Sequence, residues 1–175
     1  MTGCGILIWV ALTPFALRAA EAPHAAGVPN FLQVDEHVYR GAQPTPEGLK
    51  SLAKIGVKTI VDLRGGGDHT ASEQGEVEAL GMRYVSVPMK GMQAPTDDDV
   101  AKVLNLIDSP EASTNWPVFI HCKRGKDRTG TVIACYRVKH DHWDNIKALT
   151  EARLNGMSFV ERAMMGYVLR YKPAK

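Results

Sequence analysis

The sequence predicts an α/β domain whose mainly parallel central sheet is flanked by helices. Two observations carry that prediction. Short β-branched apolar runs, clearest at residues 57–63 (VKTIVDL) and 118–121 (VFIH), alternate with stretches whose apolar residues recur at helical spacing. Those stretches open on capping residues and close on glycines, so the chain repeats strand, turn, helix, turn. The last segments are all helical and are expected to pack together on one face of the sheet.

The elements follow in order. Residues 5–17 (GILIWVALTPFAL) form an apolar run of signal-peptide length, too short to span a bilayer comfortably. Ala20-Glu21-Ala22 after it has the form of a cleavage site. Residues 1–22 are therefore expected to be a signal peptide for export to the periplasm or the medium, an uncleaved N-terminal anchor or a misassigned start in a cytoplasmic chain being the alternatives; no stable membrane span is expected in the mature chain. Residues 23–30, with Pro23, Gly27 and Pro29, read as a linker to a domain over 31–171. Two short strand-like pieces come first, 31–34 and 38–40. Thr45-Pro46-Glu47 opens a helix with a capping hydroxyl, a proline at the first position and an acid in the first turn. Leu49, Leu52, Ala53 and Ile55 give it an apolar face, and Gly56 ends it. The strand over 57–63 is broken by Gly65-Gly66-Gly67; a short helix over 72–80 stops at Gly81, and 82–87 is the next strand. Thr96 caps a helix over 97–108 with Val100, Val103, Leu104 and Ile107 as its buried stripe. After the strand at 118–121 and a glycine-bearing loop, helices are predicted over 129–139, 143–154 and 158–170.

Composition narrows the function. The chain has 175 residues, enough for one domain, with 45% hydrophobic and 23% charged residues, which argues against a disordered chain or a multi-span membrane protein. Basic and acidic residues nearly balance, 21 against 19, so bulk nucleic-acid binding is not expected and any anion preference must be local. Three cysteines, Cys4, Cys122 and Cys135, make no disulfide scaffold. His24, His37, His69, His140 and His142 have no metal-ligand spacing, and Cys135 sits in an apolar helical stretch as a core residue, a redox partnership with Cys122 being the alternative.

Chemistry concentrates in residues 118–130, VFIHCKRGKDRTG. A Cys-x5-Arg spacing alone recurs by chance. Here an apolar strand delivers the cysteine, Gly125 bends the loop, and Arg128-Thr129-Gly130 opens a helix. Such a loop turns backbone N–H groups and a helix N-terminus toward one point, a cradle for a tetrahedral dianion. The same field favours the thiolate of Cys122, placed for in-line attack on phosphorus. Arg128 grips equatorial oxygens through its planar fork, and the contacts tighten as charge spreads in the transition state. Thr129 is placed to stabilise the sulfur as leaving group, and His121 to orient the loop.

His-Cys-x-x-Gly-x-x-Arg-Thr-Gly resembles the signature of the cysteine-dependent protein tyrosine and dual-specificity phosphatases, and its late position in the chain fits. Residues 38–44 (VYRGAQP) and 61–64 (VDLR) resemble stretches of compact members. The resemblance implies a three-layer protein-tyrosine-phosphatase-like fold, Cys122 as nucleophile, Arg128 on the phosphate, a cysteinyl-phosphate intermediate, and neither metal nor cofactor. Lys123, Arg124, Gly125, Lys126, Asp127 and Arg64 are expected around the substrate. The family supplies a general acid from an aspartate on a separate loop. Residues 88–95 contain no acid, so Asp97 is favoured, with Asp98, Asp99 and Asp127 as alternatives and Asp62 and Asp68 behind them. Helix capping alone would also select Asp97, Asp98 and Asp99. The loop's local +3 suits a phosphoinositide, an inositol polyphosphate or an acidic phosphopeptide, unless its lysines face solvent. The expected partner is a phosphorylated protein, small molecule or lipid headgroup. The competing readings are a phosphate-binding module of little turnover and a rhodanese-like sulfurtransferase.

Overall fold

Five strands form one sheet in the order β1-β2-β5-β3-β4. They are β1 (Leu32–Gln33), β2 (Val38–Ala42), β3 (Thr59–Asp62), β4 (Arg83–Ser86) and β5 (Val118–Cys122). The helices are α1 (Pro46–Lys54), α2 (Asp68–Ala79), α3 (Asp97–Asp108), α4 (Asp127–Lys139), α5 (Asn145–Leu154) and α6 (Arg162–Arg170), with a 3-10 turn at Ala112–Thr114. The computed structural model describes residues 24–66, 68–108 and 112–173. The expected leader, its Ala20-Glu21-Ala22 boundary and Cys4 lie outside the described residues. Every strand pair is parallel except β1 with β2, so the α/β architecture with a mainly parallel sheet holds.

Apolar alternation sorts the helices onto two faces. Leu49 and Leu52 of α1 and Val77 of α2 pack with Tyr39, Ile60 and Phe119 on one face. The stripe of α3 packs with Val132, Ile133 and Tyr136 of α4 against Val61, Ile120 and Cys122 on the other. A third cluster joins α4, α5 and α6 through Ala134, Ala148, Ala152 and Val168, so the closing helices do pack together.

Several boundaries differ from expectation for local reasons. β2 runs on to Ala42 because its partner β5 runs to Cys122, and the two residues are in register. α2 starts at Asp68, directly after the glycine run. α4 starts two residues early, at Asp127, whose carbonyl accepts from the Thr131 hydroxyl at 2.9 Å. α6 starts at Arg162 rather than 158, because the Ser158 N–H is drawn to the Asp127 carboxylate at 2.8 Å and residues 158–161 form a turn. α5 starts at Asn145, because Asp144, not Trp143, provides its cap by accepting from the Lys147 N–H at 2.8 Å. Among the described residues no helix is long and apolar enough to cross a membrane.

Candidate active site

Cys122 ends β5, the central strand between β2 and β3. The helices α1 and α2 lie on one face of the sheet, whereas α3, which leads into β5, lies on the other. Such a reversal opens a crevice at the carboxyl ends of the strands, where α/β sheets bind ligands. The first turn of α4 follows after a four-residue loop and directs its partial positive charge to the same point.

The Cys122 side chain is 3% exposed. Burial by itself pushes the thiol pKa up. Against that act the Thr129 hydroxyl, the backbone N–H of Thr129, the Arg128 charge and the backbone N–H of Arg124, and together they hold it below the ordinary thiol value. The Thr129 hydroxyl is buried and among the described residues has no other hydrogen-bond partner, so it is available to the sulfur whose pKa it lowers. Arg128 Nη1 donates to the carbonyls of Leu63 at 3.1 Å and Met89 at 3.2 Å. Those carbonyls lie just beyond β3 and β4, so two strand ends fix the guanidinium. Among the described residues nothing bonds its Nε and Nη2, the edge a phosphoryl group would use. Arg128 and Lys123 line a cavity of about 240 Å³ with Gln43, Gly65 and Gly66.

His121 is held from the α2 side by a buried network. Asp62 accepts from Arg64 Nε at 2.9 Å, Arg64 Nη2 at 2.7 Å and the Tyr84 hydroxyl at 2.6 Å. Arg64 Nη2 also donates to Glu73 at 2.7 Å. Glu73 Oε1 lies 2.8 Å from His121 Nε2, close but off the hydrogen-bonding direction. Burial alone would raise the Asp62 pKa, but Arg64, His121 and Tyr84 hold it below the usual carboxylate value, so it stays ionised. Arg64, expected around the substrate, does reach the cavity wall, but its Nε and Nη2 are committed to these carboxylates. Asp62, Glu73 and His121 offer ligand atoms within 4.8 Å of one another. Arg64 Nη2 bridges both acids there and occupies one oxygen of each. Glu73 and Tyr84 escaped the sequence reading because nothing distinguishes Glu73 from Glu76 or Glu78 on the same polar helix. The pair Asp62 and Arg64 was a readable signal, since opposite charges two apart at a buried strand end share a face.

Other expected residues lie elsewhere. Arg124 is exposed and donates to Asp127 Oδ2 at 3.1 Å, while Asp127 Oδ1 accepts from the Ser158 N–H. Asp127 thus ties the α5–α6 connection to the loop, with both oxygens engaged. Lys126 is not in the cavity with Arg128. It lines a separate hollow with Arg40, Asn30 and Leu154, its methylenes packed over Gly156. Asp97 accepts from the Tyr167 hydroxyl at 2.8 Å. It faces a larger hollow, about 480 Å³, bounded by Pro95, Thr96 and Arg170. That hollow includes neither Cys122 nor Arg128. The first turn of α3 directs Asp97 to Tyr167 of α6. Asp99 and Thr96 cap one another, the Asp99 N–H on Thr96 Oγ1 at 3.1 Å and the Thr96 N–H on Asp99 Oδ2 at 3.2 Å.

Comparison with known proteins agrees with this geometry. Residues 23–168 match the family model described as DSP-PTPase phosphatase fused to NAD+ kinase. The chain is 32% identical over 127 residues to the dual specificity protein phosphatase TpbA of Pseudomonas aeruginosa, covering 73% of this chain and 55% of that one. It is 30% identical over 144 residues to the inositol diphosphatase DSP1 of Oryza sativa, covering 75% and 63%. The match thus spans little more than half the length of these relatives. Among solved structures, the catalytic domain of the PP-IP phosphatase SIW14 from S. cerevisiae superposes with a TM-score of 0.74 at 25% identity, covering 85% of this chain and 89% of that one. TpbA in complex with pTyr superposes with a TM-score of 0.67 at 27% identity, covering 79% and 82%.

Proposed function

The chain belongs to the DSP-PTPase phosphatase family, and on that premise we propose that it hydrolyses phosphate monoesters through a cysteinyl-phosphate intermediate. The observation that carries this reading is the Cys122 thiol, lowered in pKa despite burial, beside a guanidinium fixed by two strand ends. In the first step Cys122 Sγ attacks phosphorus, the bond to the leaving oxygen breaks, and that oxygen takes up a proton from solvent water. The Nε and Nη2 edge of Arg128 and the amides of the loop hold the equatorial oxygens as charge spreads over them. In the second step water attacks phosphorus and gives up a proton to solvent, the P–S bond breaks, and the Thr129 hydroxyl donates to the returning thiolate.

Phosphotyrosine in a protein is the substrate class we favour. Within the cavity Lys123 is the one loop cation besides Arg128, because Arg124 is paired with Asp127 and Lys126 faces another hollow. A single phosphoryl group with modest additional charge fits that arrangement, and TpbA is a relative whose structure is described in complex with pTyr. Inositol diphosphatases among the relatives support a polyphosphorylated inositol as the second reading.

Nitrophenyl phosphate hydrolysis by the natural chain and its Cys122→Ser variant, in EDTA with fresh reductant, tests the proposal. Turnover that resists EDTA and is lost in the variant is expected. Turnover that survives Cys122→Ser would overturn it. Phosphate binding without turnover in the natural chain would establish the binding module instead.

A further inference from the structure

The stretch VYRGAQP is not accounted for by the chemistry above. Its Arg40 is 2% exposed, one of the largest fully buried side chains among the described residues. In the register of β2 with β5, Arg40 faces Ile120 and Ala42 faces Cys122. Partners across parallel strands, and residues two apart along one, share a face. Arg40 therefore lies on the Cys122 face of the sheet, opposite the Asp62–Glu73–His121 network. Its Nη2 donates to the carbonyl of Gly125 at 2.8 Å, and its Nε and Nη1 are buried without a protein partner. Gly125 has φ +67, and a side chain there would overlap the Gly41 carbonyl and the Ala42 nitrogen. The turn of the signature loop therefore rests directly on the backbone of β2. Gly41 is constrained in turn, since a side chain on it would meet Val28 at 2.8 Å and Phe119 at 2.9 Å.

We infer that Arg40 is a positioning residue of the phosphate cradle: it holds the Gly125 carbonyl turned away from the anion and lends a fixed positive charge to the Cys122 thiolate. The inference rests on the phosphatase reading of the site and adds a second support to the loop. A carbonyl free to swing toward a bound phosphate would repel it; one held outward keeps the following amide available to the cradle. A guanidinium does not shed its proton, so this buried group remains a cation. Among the described residues no carboxylate touches it: Glu151 of α5, the acid that acts on it most strongly, is bonded to Arg137 of α4 at 2.9 Å. Lys126 of the loop faces the same hollow as Arg40. Burial, and to a smaller degree Arg137, lower the Arg40 pKa, while Glu151 and Cys122 raise it, so cation and thiolate support one another.

The test is iodoacetamide alkylation of Cys122 against pH, read by peptide mapping, in the full chain and in Arg40→Met and Arg40→Lys. Arg40→Met is expected to move the half-alkylation pH upward by about one unit, leaving roughly tenfold less thiolate on the acid side. Arg40→Lys, whose buried ammonium sheds its proton more readily than a guanidinium, is expected to move no further than Arg40→Met. An unshifted Arg40→Met would overturn the inference. Should Arg40→Met not fold by its circular dichroism melt, the neutral but polar Arg40→Gln is read in its place: an upward shift sustains the inference and an unshifted midpoint overturns it. Alkylation needs no turnover, so a chain that shows the shift yet fails to hydrolyse nitrophenyl phosphate would count against the phosphatase reading alone.

Discussion

Cys122 and Cys135 are the same residue in nearly the same degree of burial, 3% and 0% exposed, and both are free thiols. Burial pushes the pKa of both upward. They part because of what surrounds the sulfur. Cys122 stands where a strand ends and a helix begins, so a hydroxyl, two unshared backbone N–H groups and an arginine face it and bring its pKa down. Cys135 sits within α4, where backbone N–H groups are already engaged in the helix, and the charge that acts on it is Asp97, which raises its pKa further. A nucleophile is made here by the junction of two elements, not by the thiol alone.

The strongest way to break this contrast is to exchange the thiols one at a time. Cys122→Ser should lower kcat for nitrophenyl phosphate by roughly 10⁴-fold or more, whereas Cys135→Ser should leave it within about twofold. Equal losses would mean the two environments do not differ in function. Arg128→Lys keeps the charge but loses the fork, and kcat/KM should fall by about 10²–10³-fold, the scale of losing a transition-state donor; a loss under tenfold would make the arginine a simple point charge. Thr129→Val removes the hydroxyl that lowers the Cys122 pKa. The sign follows: the natural thiol stays ionised to lower pH than an ordinary thiol, and the variant should lose thiolate at higher pH. The acid limb of kcat/KM is expected to move upward by about one pH unit, while the rate on the plateau changes less. A limb that does not move would remove Thr129 from the sulfur's field.

Asp97→Asn sharpens the contrast from the Cys135 side. The Asp97 carboxylate is engaged with Tyr167 and adds to the field on Cys135. Turnover should therefore change within about twofold for nitrophenyl phosphate and for an alkyl phosphate alike. A loss confined to the alkyl phosphate, whose leaving oxygen needs a proton, would restore Asp97 as the acid.

The unequal legibility of these residues has a physical basis. The α/β class, the strands and the Cys122–Arg128 loop were readable because each is local: β-branched runs, glycine stops and a strand–loop–helix junction lie within a few consecutive residues. The helix over 97–108 matched because cap, acids and stripe agreed with one another. The acid candidates were hard to tell apart because capping and catalysis select the same residues at a helix start, and only the approach of Tyr167, seventy positions away, shows which way Asp97 faces. Lys126 and Arg124 looked alike in the loop's charge count. Their separation depends on Gly156 and Asp127, that is, on how α5 and α6 return to the loop. The roles of Arg40 and Glu73 likewise depend on contacts across the sheet that no run of neighbours encodes.

The smallest effect expected is that of Cys135→Ala. The sulfur is wholly enclosed in the cluster that includes Val100, Val132 and Tyr136. Its removal leaves a small void and should cost about 1–2 kcal/mol of stability, seen as a lower midpoint of thermal unfolding. Turnover and the alkylation rate of Cys122 should not change, because nothing that faces the reactive sulfur is removed. The same variant tests whether Cys135 protects Cys122 from oxidation. A sealed thiol with a raised pKa is a poor partner for exchange, since the thiolate is the attacking species. After mild peroxide and then reductant, Cys135→Ala should recover as much activity as the natural chain. Poorer recovery in the variant would make Cys135 the resolving thiol and join the two environments that the structure keeps apart.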